Sequence, residues 1–149
     1  MSSLAFHAPD PDFAAKVRAS FERQPFMTTI GAALVHVAPG EIDIALPFRD
    51  ALCQHHGSLH AGAVTTIVDN ACGFAAQSLL AAGHDVLTVE FKINFVAPAR
   101  APRFVARGRV QRPGRTLTLT TGEVVAIDDD GGERLIAMMQ ATVMAIATR

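Results

Sequence analysis

The stretch between His60 and Gly83 constrains this chain more than any other, because small apolar residues fill it and Asp69 is its one charged residue. From Leu59 to Ala82 the residues are mostly small and apolar, and Gly83 supplies a stop. A helix of about 22 residues, or roughly 33 Å at 1.5 Å per residue, is therefore expected. Asp69, Asn70, Gln77 and several hydroxyls would be costly in lipid, which argues against a membrane span. In water, a helix that is apolar nearly all round needs protein against most of its sides.

The rest of the chain must supply that cover. Leu87, Val89, Phe91, Ile93 and Phe95 alternate with Thr88, Glu90, Lys92 and Asn94, and this period of two predicts a strand with one apolar face. Pro98 and Pro102 punctuate the next connection. Phe104 to Val110, Thr116 to Ile127 and Arg134 to Ile146 then read as three more strands, separated by Arg112-Pro113-Gly114 and by Asp128-Asp129-Asp130-Gly131-Gly132. Upstream, Gly31 to Val37 and Ile42 to Leu46 flank Pro39-Gly40 as a hairpin. Asp10 to Arg23 sets Phe13, Val17 and Phe21 four apart, on one face of an N-terminal amphipathic helix. Two strands, one long helix and four strands predict an antiparallel sheet with a single helix buried against it, an α+β domain. With half its residues hydrophobic and 149 residues in all, the chain is sized for one packed domain spanning 1–149, with 1–30 as a helical extension.

Several partner classes are disfavoured. A net charge of -1 with no Trp or Tyr does not suit a nucleic-acid binder. Cys53 and Cys72 are too few for a disulfide framework, and the start lacks a basic segment followed by an apolar stretch, so a reducing cytoplasm and no membrane association are expected.

Chemistry concentrates around Asp69. An unpaired buried carboxylate is heavily penalised, so this one is either satisfied by hydroxyls such as Thr65 or Thr66, or exposed in a pocket as a general base or nucleophile. Just before the helix, Gln54-His55-His56-Gly57-Ser58-Leu59-His60-Ala61-Gly62 leads polar, glycine-containing chain into a helix N-terminus, whose free N–H groups favour an anion such as the oxyanion of a thioester carbonyl. The simpler use of Gly57 and Gly62 is to permit a turn and tight packing. His56 and His60 have the spacing of zinc ligands, but Gly57 lies between them and no further cluster completes a site, so no metal is expected. Cys72 reads as a small apolar core residue.

Spacing adds a constraint. Nine residues from His60 to Asp69 mean about 13.5 Å of rise and half a turn on a helix, too far apart for one reaction centre within a subunit. If both serve one site, a twofold dimer must bring the helix N-terminus of one chain to the middle of another's. Finally, Arg100, Arg103, Arg107, Arg109, Arg112 and Arg115 fall within sixteen residues without an acid. They form either a solvated face or a phosphate-binding one.

At these residues, from about Gly31 to Ile146, the chain resembles the PaaI-type thioesterases of the 4-hydroxybenzoyl-CoA thioesterase superfamily, which have the hotdog fold. Carrying the resemblance are Gly57-Ser58-Leu59-His60-Ala61-Gly62, Asp69-Asn70, and the run from Thr88 through Glu90 and Phe95 into Pro98-Ala99-Arg100. It implies a six-stranded antiparallel sheet wrapped around the long helix, and dimers or dimers of dimers with active sites between chains. It also implies hydrolysis of an acyl- or aryl-acyl-CoA to the free acid and CoA, with no cofactor beyond the CoA of the substrate. By the same analogy Asp69 is base or nucleophile, the Ala61 N–H, with Gly62, polarises the carbonyl beside His60, Gln54 orients the thioester, and Thr88 places Asp69 or water. Glu90, Phe95, Pro98, Arg100, Arg112, Gly114, Arg115 and Thr116 fall in segments that contact substrate. The family commonly has Asn at Gln54 and Gly at Ala61; a backbone donor survives the second difference, while the longer Gln54 moves its polar end. Two other classes remain: a hotdog enoyl-CoA hydratase, whose acid and histidine must converge on one carbon, and a non-catalytic acyl-CoA-binding protein, which would not need Asp69.

Overall fold

The computed structural model describes residues 4–148, so the outermost residues of the expected 1–149 span lie outside it. Two helices come first, α1 over Phe13–Glu22 and α2 over Pro25–Ile30. Val17 and Phe21, one turn apart, are the buried residues of α1. The second helix was not expected, because six residues are too few to show a period. Its local signals are Pro25 at the first helical position and Gly31 in the left-handed conformation after the last.

Six strands follow, β1 Ala33–Ala38, β2 Glu41–Pro47, β3 His84–Phe95, β4 Arg103–Arg112, β5 Leu117–Ile127 and β6 Glu133–Ala147, with helix α3, Ala61–Gln77, between β2 and β3. They form one sheet in the order β1-β2-β4-β5-β6-β3, every neighbouring pair antiparallel. This is the expected six-stranded sheet around a long central helix, the hotdog arrangement. Val64, Ile67, Val68, Ala71, Cys72 and Ala75 of α3 are buried in the main core with Ile42, Ile44, Phe104, Ala106 and Val124 of the sheet.

Two glycines set how closely helix and sheet approach. Gly108 of β4 and Gly122 of β5 are paired in register. A Cβ on Gly108 would stand 2.3 Å from the Ala71 carbonyl, and one on Gly122 would stand 2.5 Å from Val68 Cγ2. The backbone of α3 therefore rests on the sheet where no side chain fits.

Two expectations need correction. The helix runs 17 residues, not from Leu59 to Ala82. Its start is set by Leu59, whose N–H donates to Ala99 O at 3.0 Å instead of joining a helix. At the other end Ser78 donates to Ala75 O and accepts the Gly40 N–H, and Leu79 and Leu80 continue in tighter bonds to Ala76 and Gln77. The other correction concerns β3, whose alternation does not make one apolar face. Its register to β6 slips between Thr88 and Glu90, so Val89 is the extra residue of a bulge. Thr88 is opposite Val143 while Glu90 is opposite Thr142. Residues opposite each other share a face, so Leu87 and Phe91 lie on opposite faces of the sheet. Strand β3 is also an edge: Leu87, Val89, Phe91 and Phe95 are 54%, 53%, 41% and 47% exposed.

Candidate functional site

His60 caps α3. Its Nδ1 accepts the Gly62 N–H at 2.8 Å, satisfying one of the donors that a helix N-terminus leaves without an internal partner. Nε2 is the ring nitrogen left to donate, with Nδ1 accepting. Glycine leaves room for this, since a Cβ on Gly62 would stand 2.9 Å from that nitrogen. Among the described residues the exposed Ala61 N–H has no acceptor. Of the two donors expected to polarise a carbonyl, Ala61 is open and Gly62 is taken.

The preceding loop is braced from both sides. His60 N–H donates to Leu52 O, and Arg100 donates from Nε to Ser58 Oγ at 2.9 Å and from Nη2 to His56 O at 2.8 Å. Gln54 turns inward on the loop, its Oε1 accepting the His56 N–H. Its amide NH₂ has no hydrogen-bond partner among the described residues. The rings of His55 and His56 lie with centroids 4.0 Å apart, tilted 43° to each other. Among the described residues no three His, Cys, Asp or Glu side chains cluster as a metal site.

Asp69, half-buried, accepts from Thr88 Oγ1 at 2.8 Å. The nearby hydroxyls do not serve it: Thr65 donates to Ala61 O and Thr66 to Gly62 O, each one turn back along the helix. Burial pushes the Asp69 carboxyl above its ordinary value, and the Thr88 hydrogen bond only partly offsets this. The carboxyl opens on a cavity of about 390 Å³ walled by α3, by β3, and by Ser20 and Gln24 at the end of the N-terminal helical segment. Gln24 Nε2 donates to Asn70 Oδ1 at 2.8 Å and ties that segment to the residue beside the acid. Cys72, one turn on, is buried, and burial pushes its thiol up to about 12, as suits an inert core residue.

Tertiary structure divides the arginines. Arg107 pairs with Glu133 and Glu123, and Arg109 with Asp43 at 2.7 Å, so acids from other strands neutralise them. Arg112 and Arg115 are exposed and, among the described residues, pair with no acid. Gly114 between them donates to Thr118 Oγ1, and Thr116 accepts from Ala145 N–H, so both belong to the turn that presents the arginines. This turn follows β4, at the α3 C-terminus, where Val110 N–H meets Gly40 O and Gly40 N–H meets Ser78. The Ala61 end lies before β4, beside Ala99, with exposed Pro98 and Phe95. Glu90 accepts from Thr142 on the sheet face turned away from α3. Within one chain, then, Asp69 and Thr88 meet, whereas Ala61 lies eight residues, about 12 Å, along the helix from Asp69 and Arg115 beyond its far end.

A family model described as the thioesterase superfamily matches residues 56–133, just over half of the chain. The chain belongs to the thioesterase superfamily. It is thus a thioester hydrolase, and other similarities agree. The structure of a thioesterase family protein from Silicibacter pomeroyi is 51% identical, with a TM-score of 0.88 over 91% of this chain and 98% of that one. A relative from Thermoplasma volcanium is 32% identical over 119 residues, covering 78% of this chain and 84% of its own. The PaaI protein of E. coli, at 16% identity, shares the fold with a TM-score of 0.82 over 95% of this chain and 98% of its own.

Ser20, Arg23, Gln24, Gly73, Asp85 and Val86 of this thioesterase's cavity escaped the sequence reading. Gln24 falls three residues after Phe21 and seven after Val17, so in sequence it continues their helical spacing, although α1 itself ends at Glu22. A polar residue ending an apolar stripe was the available signal.

Proposed function

We propose that this thioesterase hydrolyses acyl-CoA thioesters, with Asp69 as general base toward water and the Ala61 N–H as donor to the carbonyl oxygen. The observation that carries the reading is the carboxyl of Asp69, raised by burial, held by Thr88 and open to a cavity. A base works best when its pKa approaches the working pH, and one oxygen bonded to Thr88 leaves the other for water. Water adds to the carbonyl carbon while Asp69 takes its proton. The oxyanion rests against the Ala61 N–H, the C–S bond breaks, and the departing thiolate recovers the proton.

Each site draws on two chains. Ala61 and Asp69 diverge along one helix, and β3 offers an unpaired sheet edge with exposed Phe91 and Phe95 where a second copy can continue the sheet. Gln54 and His60 of one chain then face Asp69 and Thr88 of the other, and Arg112 and Arg115 bind phosphates of the CoA moiety.

Thiol release across a panel of acyl-CoA thioesters tests the activity, since hydrolysis frees a thiol while hydration or simple binding does not. Mixing Asp69→Ala subunits with subunits altered at Ala61-Gly62 tests the shared site, because hybrid dimers contain one intact site. Demonstrated subunit exchange without recovered activity rules out the two-chain arrangement.

A further inference from the structure

Gly73 lies one turn after Asp69 on α3, on the same helix face. Glycine is the least favourable ordinary residue in a helix interior, so its presence calls for a reason. For Gly108 and Gly122 the reason is crowding by α3 itself. Gly73 is different: although buried, it has nothing within 4 Å of where a Cβ would stand. Among the described residues, no atom of the same chain claims the space that its missing side chain leaves. That space adjoins the cavity holding Asp69, which continues past Gly73 to Phe74 and Val86 and is lined also by Ser20, Arg23, Gln24 and Asp85, the last engaged by Gln77 and the Val86 N–H.

We propose that Gly73 is the size-determining position of the acyl chamber. The inference rests on the thioesterase site described above. With the thioester carbonyl at Asp69, the acyl chain extends along α3 toward its C-terminus and crosses Gly73 about 6 Å farther on. It ends against the wall formed by Ser20 of α1 and Gln24 between α1 and α2. The substrates so defined are acyl groups reaching several bonds beyond the carbonyl, in preference to acetyl. A side chain at position 73 occupies the path and shortens the chain accepted.

The test compares wild type, Gly73→Ala and Gly73→Val on straight-chain acyl-CoA thioesters from acetyl to dodecanoyl, with thermal unfolding of each. Alanine is a better helix former than glycine and meets no neighbour, so the Tm of Gly73→Ala stays level or rises. Its kcat/KM for acetyl- and butyryl-CoA stays within about twofold, while that for octanoyl-CoA and longer substrates falls at least about tenfold, and valine moves the cut-off to still shorter chains. A chain-length profile parallel to wild type in both folded variants overturns the assignment of Gly73 and leaves the thioesterase site standing. Absence of thiol release by wild type from every substrate overturns the site itself, and this inference with it.

Discussion

Replacing Asp69 with asparagine separates chemistry from folding at one position. Asn Oδ1 retains the acceptor that Thr88 uses at 2.8 Å, so the hydrogen bond and the shape survive. What is lost is the negative charge, which can take a proton from water. Loss of such a base lowers the rate by 10² to 10⁴, equivalent to about 3 to 5 kcal/mol of transition-state stabilisation. Stability moves the other way. Because burial raises the carboxyl above 3.8, the folded chain holds its proton more tightly than the unfolded chain does. As pH rises from 3.8 through the folded value, the folded state gives up a proton it favours and loses stability; above that value the whole penalty applies. Asparagine carries no such penalty. Asp69→Asn should therefore show a kcat at least about 100-fold lower by thiol release, and by calorimetry a Tm at neutral pH equal to or above wild type. The Tm difference should fade as the pH falls toward 3.8. A kcat within about threefold of wild type together with a lower Tm would mean that Asp69 is structural, and would refute the reasoning.

Three other perturbations probe the frame around the acid. His60→Ala removes the acceptor for the Gly62 N–H, at about 1 kcal/mol, and lowers kcat by loosening the Ala61 donor; His60→Asn, a good cap, restores the denaturation midpoint. Equal midpoints for all three proteins would show that the cap contributes nothing. Gly108→Ala places a Cβ against backbone of α3 and should destabilise by about 3 kcal/mol or more, so a denaturant midpoint shift under about 0.5 kcal/mol would contradict the close approach. Arg115→Ala should raise KM for acyl-CoA more than for the matching acyl-pantetheine; equal effects on both would remove the arginine from nucleotide binding.

Much of the fold was legible because apolar periodicity is local. The all-apolar run around Asp69, and strand-length segments divided by Arg112-Pro113-Gly114 and Asp128 to Gly132, suffice to call one helix inside an antiparallel sheet. Asp69 itself stood out because a lone charge among apolar neighbours is costly anywhere in a folded chain. If the helix N-terminus and Asp69 serve one site, the rise of a helix over nine residues already asks for two chains.

Tertiary structure decided whatever depends on which distant residue arrives opposite. Thr88, not Thr65 or Thr66, reached Asp69, because those two hydroxyls found helix carbonyls while β3 came alongside α3. The bulge at Val89 broke an alternation that was regular in sequence, since face is set by pairing with β6 and not by β3 alone. Arg107 and Arg109 looked like part of a cationic stretch until β2, β5 and β6 brought Asp43, Glu123 and Glu133 against them. Residues close along the chain reveal periodicity and spacing. Charge neutralisation, hydrogen-bond partners and empty space at Gly73 arise between segments far apart in sequence, and only the folded packing brings those together.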